Sequence, residues 1–101
     1  MKTFRSYQLA KELYREVKAL KLRGALRDQL TRASLSICLN LAEGTDRAST
    51  KDRTRFFRMA FTSLREVQAI IDIEQITPLD HKADYLAACI YKLCRICERQ
   101  I

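Results

Sequence analysis

The chain has 101 residues and a mass of 11.8 kDa, room for one domain and not two. Hydrophobic residues make up 48% and charged residues 31%, which excludes a disordered chain, while two Gly, one Pro and no Trp leave few of the turns a β-sandwich or barrel needs. The net charge of +7 is uneven: residues 1–65 hold 15 basic and 6 acidic side chains, a net of +9, and residues 66–101 hold 4 and 6, a net of −2.

Four segments carry helical periodicity, over about residues 4–22, 25–43, 50–76 and 78–99. In the first, Leu9, Leu13, Val17 and Leu20 recur at steps of 4, 4 and 3, with Tyr7, Ala10 and Tyr14 beside them. Lys11, Arg15 and Lys18 fall on the other side, and Gly24 punctuates its end. The second has Leu26, Leu30, Ala33, Ile37 and Leu41 as its main stripe. Leu35, Cys38, Leu39 and Ala42 widen that stripe beyond what a helix with one neighbour needs, and Gly44 reads as a left-handed stop.

After the loop signal Gly44-Thr45-Asp46-Arg47-Ala48, Ser49 with Asp52 three residues on has the form of a helix start. A Ser oxygen accepts an orphan N–H there, and an acid meets the positive end of the dipole. Phe56 or Phe57, Ala60, Leu64, Val67 and Ile71 line the core face of the third helix, broadened by Met59, Ile70 and Ile73. Thr77-Pro78 ends it and also offers a cap and first position for the fourth, which carries Leu86, Ile90, Leu93 and Cys97. The predicted fold is all-α: an antiparallel up-down-up-down four-helix bundle in a single domain over residues 1–101. A bundle this small has little interior in which to hide the broad apolar faces of its second and third helices, so self-association is expected.

No stretch approaches the ~20 uncharged apolar residues of a membrane span. Behind the charged start, Lys11, Arg15 and Glu16 interrupt any apolar run of a secretory leader. A cytoplasmic location is therefore expected, with Cys38, Cys89, Cys94 and Cys97 reduced and serving as small core residues.

Catalytic patterns are weak. The single histidine, His81, lies among Asp80, Lys82 and Asp84, a solvated setting. Cys94-Arg95-Ile96-Cys97 has the C-x-x-C form, but no second pair completes a zinc set and no strand precedes it as in a redox motif. No Glu has a His three residues on, as a di-metal bundle site requires, and the two glycines are twenty residues apart, so there is no phosphate loop. Neither an enzyme nor a bound cofactor is expected.

Positive side chains give the stronger lead. Arg47, Lys51, Arg55 and Arg58 are spaced 4, 4 and 3 and share a helix face, with Arg53 off it. Lys11, Arg15 and Lys18 repeat that spacing on the first helix, with Arg23 and Arg27 near the next turn. Two such ridges are suited to tracking phosphates, with salt-sensitive binding. There is no aromatic platform among them and no base-reading motif, so sequence specificity is not implied.

The stretch Arg32-Ala33-Ser34-Leu35-Ser36-Ile37-Cys38-Leu39-Asn40-Leu41-Ala42-Glu43-Gly44 resembles the signature of the "four helix bundle protein" family, encoded in 23S rRNA intervening sequences. The resemblance continues through Arg47, Ser49, Lys51, Phe56, Ala60, Ser63, Leu64 and Glu66 and covers most of the chain; Thr62 stands where the family usually has Gly. It implies a four-helix subunit of a homopentameric barrel with no known enzymatic activity. It also implies a distant relation to the accessory variability determinant of diversity-generating retroelements, a basic pentamer that binds reverse transcriptase and nucleic acid.

The matching polar residues, Arg32, Ser36, Asn40, Glu43, Gly44, Ser63 and Glu66, read as structural, the alternative being a ligand or RNA contact. Glu43 is positioned to tie the following loop by accepting from Arg47 or from backbone N–H groups, and Arg32 to pair with Glu66 across the bundle. The expected function is a non-enzymatic homo-oligomer that presents basic helix faces to RNA or DNA, as accessory to a reverse transcriptase or other RNA-related machinery. The alternative is a structural, protein-interaction oligomer whose basic charge is incidental.

Overall fold

The structure, a computed structural model, describes residues 2–101. Four helices account for nearly all of it: α1 (Lys2–Ala19), α2 (Gly24–Asp46), α3 (Thr50–Glu74) and α4 (Asp80–Gln100), with a single 3-10 turn, Thr77–Leu79, before α4. Each packs on its two neighbours in an antiparallel square, α1 against α2 and α4, α3 against α2 and α4. The bundle measures 41 × 20 × 20 Å, about the length of its longest helices.

The apolar stripes read from the sequence make the core. Leu13 and Val17 of α1, Leu30, Ala33, Ile37 and Leu41 of α2, Phe57, Ala60, Leu64, Val67 and Ile71 of α3, and Leu86, Ile90, Leu93 and Cys97 of α4 are all buried. Between Phe56 and Phe57, the structure chooses Phe57 for the interior. Cys38 and Cys94 join the core, and the four cysteines are free thiols.

Helix ends depart from expectation in instructive ways. Helix α1 stops at Ala19, about one turn early, and Gly24, with φ +63, opens α2 where the chain reverses. Gly44 is no stop: α2 runs through it to Asp46, and its φ is not left-handed. Its role is contact. A Cβ built on Gly44 would lie 2.6 Å from Phe57 Cε1 and 3.2 Å from Phe56 Cβ, so hydrogen alone lets α3 come this close.

Helix α3 opens as read, with the Ser49 side chain accepting from the Asp52 N–H at 3.0 Å. It closes before Thr77-Pro78, at Gln75, the one non-Gly residue in the left-handed region among the described residues (φ 56). The Ile76 N–H reaches the Ile71 carbonyl at 2.9 Å while Gln75 N–H reaches Asp72, the paired bonds of a Schellman ending. Half-buried Ile76 packs on the core and drives this geometry despite the absence of Gly. Thr77 consequently caps nothing; with Pro78 it forms the 3-10 turn, and α4 starts at Asp80.

Gly44→Ala should lower stability by ~1–2 kcal/mol, because overpacking against Phe57 outweighs the roughly 1 kcal/mol gain in helix propensity. Urea denaturation checks this, and Gly44→Ala combined with Phe57→Leu should recover part of the loss.

Candidate nucleic-acid interface

The family-motif residues gather along the α2–α3 seam. Ser36 and Ser63 share a hydrogen bond of 2.8 Å between their hydroxyls, and Asn40 Nδ2 donates to the Ser36 carbonyl at 2.9 Å and to its hydroxyl at 3.1 Å. This half-buried chain crosses between helices and fixes their register. Arg32 and Glu66 border the same shallow polar groove as Ser36 and Ser63. The expected Arg32–Glu66 ion pair does not form: neither takes part in any ion pair among the described residues. Both are exposed, so solvent satisfies them without the entropic cost of pairing.

At the end of the seam, Glu43 accepts from Arg47 Nη2 at 2.7 Å, one of the two ties expected for it. Arg53, off the basic ridge, donates to the Arg47 carbonyl at 3.0 Å and to Thr50 Oγ1 at 3.2 Å, bracing the loop that Ser49 caps. Thr62, at the position of the family's Gly, is exposed and donates to the Arg58 carbonyl at 3.1 Å, so a side chain is accommodated there.

The two basic ridges sit differently. On α3 the cations are engaged within the chain. Arg47 and Arg55 place their guanidiniums 4.8 and 4.6 Å from the Phe56 ring centroid, and Arg55 is 3.9 Å from Asp52. Arg58 turns to α4 and pairs with Glu98. Lys51 is exposed and forms no ion pair among the described residues.

On α1 the arrangement is the reverse. Glu12 and Glu16 both lie on the α4 side, where Lys82 Nζ bridges them at 3.0 and 2.6 Å. The opposite side is left to Lys11, Arg15 and Lys18, none of which has an acidic partner among the described residues. Burial pushes the Cys38 thiol up, and the charges of Lys11 and Arg15 act on it in opposition. Arg23 and Arg27 are exposed at the N-terminal end of α2, the end that meets the C-terminus of α1. Arg27 and Arg47 stand at opposite ends of α2, about 30 Å apart. The nine basic residues therefore form two surfaces, not one.

Aromatic side chains, absent from the sequence reading of these ridges, accompany both. Lys11 Nζ lies 4.8 Å from the Tyr7 ring centroid and Lys18 Nζ 5.6 Å from that of Tyr14. The sequence places Tyr7 and Tyr14 beside the apolar stripe. They pack half-buried on its margin, and the steps of 4, 3 and 4 through Tyr7, Lys11, Tyr14 and Lys18 were the available signal.

Residues 3–88 match the family described as 23S rRNA-intervening sequence protein. The chain belongs to that family. The match runs from the start of α1 into α4, so it takes in the α2–α3 seam and both basic ridges of this 23S rRNA-intervening sequence protein. Neither a curated protein nor a solved structure shows a significant match to it. The distant link to diversity-generating retroelements finds no support in these comparisons.

Both cysteines of the C-x-x-C pair, Cys94 and Cys97, are buried, while His81 is exposed. Burial is the main cause that pushes the Cys94 thiol up to about 11, away from the thiolate that a nucleophile or metal ligand needs. Among the described residues no three His, Cys, Asp or Glu side chains come together to hold a metal ion, and no helix is long and apolar enough to cross a membrane.

Lys82 is raised above its ordinary 10.5 by its hydrogen bonds to Glu16 and Glu12. A raised lysine favours the folded state below its unfolded value, and that contribution disappears as pH climbs through the raised one. Thermal denaturation from neutral pH to pH ~11.5 should therefore show the α1–α4 tie lost only above about pH 10.5. Lys82→Met should cost ~0.5–1 kcal/mol at neutral pH and remove that part of the alkaline loss.

Proposed function

We propose that this 23S rRNA-intervening sequence protein is a non-enzymatic, self-associating helical bundle that binds RNA or DNA through phosphate contacts, as an accessory to RNA-related machinery. The observation that carries this reading is the segregation of charge on α1: its acids are bridged by Lys82, and Lys11, Arg15 and Lys18 are left without acidic partners. Arg23 and Arg27 extend that surface at the end where α1 meets α2. Unneutralised cations on one rigid face attract a polyanion and release its counterions on contact. Arg47, Lys51, Arg55 and Arg58 offer a second, weaker surface, because three of the four already have acidic partners in the chain.

Self-association rests on exposed apolar side chains. Leu35 and Leu39, one turn apart on α2, are 38% and 57% exposed, and Met59 on α3 is 36% exposed. Another copy of the chain covers such a surface in this reading, and five copies is the number the family resemblance implies.

Filter binding of a labelled RNA tests the reading. Affinity should fall roughly 50- to 100-fold between about 50 and 200 mM salt, the slope of about four phosphate contacts. Lys11→Ala with Lys18→Ala should flatten the slope by about one to two units. An affinity indifferent to salt would favour the protein-interaction alternative.

A further inference from the structure

The cations of α1 do not stand alone. Phe4, Tyr7, Lys11, Tyr14, Arg15 and Lys18 fall on one side of the helix, the side turned away from Glu12, Glu16 and Lys82. Phe4 is 62% exposed, and it borders a shallow groove shared with Tyr7 of α1 and Ala42 and Thr45 of α2. Tyr7 and Tyr14 are anchored in the core margin, so their rings are held at little further entropic cost. They stand two turns apart, about 10 Å along the axis. Each carries a lysine ammonium close to its ring.

Rings alternating with cations along one helix face are what a single strand needs and a duplex cannot use. Unpaired bases expose π-faces that stack on aromatic side chains, while the adjoining phosphates meet the ammonium groups. In a duplex those faces are buried against one another, and only phosphates and groove edges are presented. We infer that the Tyr7-Lys11-Tyr14-Lys18 stripe of α1 is a binding site for single-stranded polynucleotide, with Tyr7 and Tyr14 as stacking partners and Phe4 at its end. The inference rests on the phosphate-binding reading above and adds the class of strand. It requires each lysine to lift from its ring as a base arrives, a small loss because a cation over a ring at the protein surface gains little in water.

The test uses the full chain with a fluorescent oligouridylate of about 20 nucleotides, the same strand paired into a duplex, and phosphatidylglycerol vesicles. At equal salt the single strand should bind at least about tenfold more tightly than the duplex. Tyr7→Leu with Tyr14→Leu keeps apolar bulk at the core margin. It should cost the single strand roughly tenfold or more, leave duplex binding and the salt slope unchanged, and be rescued by Phe at both positions. Cross-linking a 4-thiouridine strand to the unaltered chain needs no variant, and should attach it to the α1 peptide that holds Tyr7 and Tyr14. Equal affinity for both strand classes, or cross-links confined to α3, overturns the inference and leaves the phosphate reading standing. Failure to bind either strand overturns both, as does a preference for the vesicles.

Discussion

The contact on which this bundle depends is the approach of α3 to α2 at Gly44. Phe57 occupies the space a side chain on Gly44 would take, and the Ser36–Ser63 bond lies farther along the same seam. Together they fix both the separation and the rotation of α2. With Ile37 and Leu41 turned inward and Ser36 and Asn40 committed to the seam, Leu35 and Leu39 are left facing out. The polar motif and the exposed leucines are thus two consequences of one rotational setting.

Charge follows from the same scaffold. Antiparallel packing brings the N-terminal part of α4 beside the middle of α1, where Lys82 bridges Glu12 and Glu16. A spacing of four residues puts both acids of α1 on a single side, and one lysine pairs with the two of them. The net charge of +7 belongs to the whole chain, but this bridge helps decide where its field is felt. On α3 the opposite happens: Glu43, Asp52 and Glu98 draw in three of the four arginine and lysine side chains of that ridge. Two ridges with nearly equal spacing in the sequence therefore differ in what they offer a phosphate.

Much of the fold was legible because helical periodicity is a property of adjacent residues. The stripes of Leu13 and Val17, of Leu30 to Leu41 and of Leu86 to Cys97 needed no tertiary information, nor did the cap at Ser49. What escaped depends on the partner helix. Gly44 looked like a stop because Gly is the usual left-handed residue, and only Phe57 on the next helix reveals it as a packing contact. Gln75 adopts the left-handed turn without being Gly because Ile76 gains core contact. Ser36, Asn40 and Ser63 meet along the α2–α3 seam and Glu43 accepts from Arg47 at its end, and the Ser36–Ser63 bond depends on the facing helix. Arg32 and Glu66 were matched by height in the bundle, but exposed side chains at one level have no need to meet. Tyr7 and Tyr14 were hidden by their apolar character, since a ring at the margin of a core serves packing and surface at once.

The proposed self-association is the claim on which the account of α2 stands, and light scattering on the purified chain over a range of concentrations tests it most directly. The account predicts a multimer that Leu35→Lys with Leu39→Lys converts to a folded monomer, since both positions face outward and the seam is untouched. A wild-type chain that stays monomeric at every concentration would contradict it.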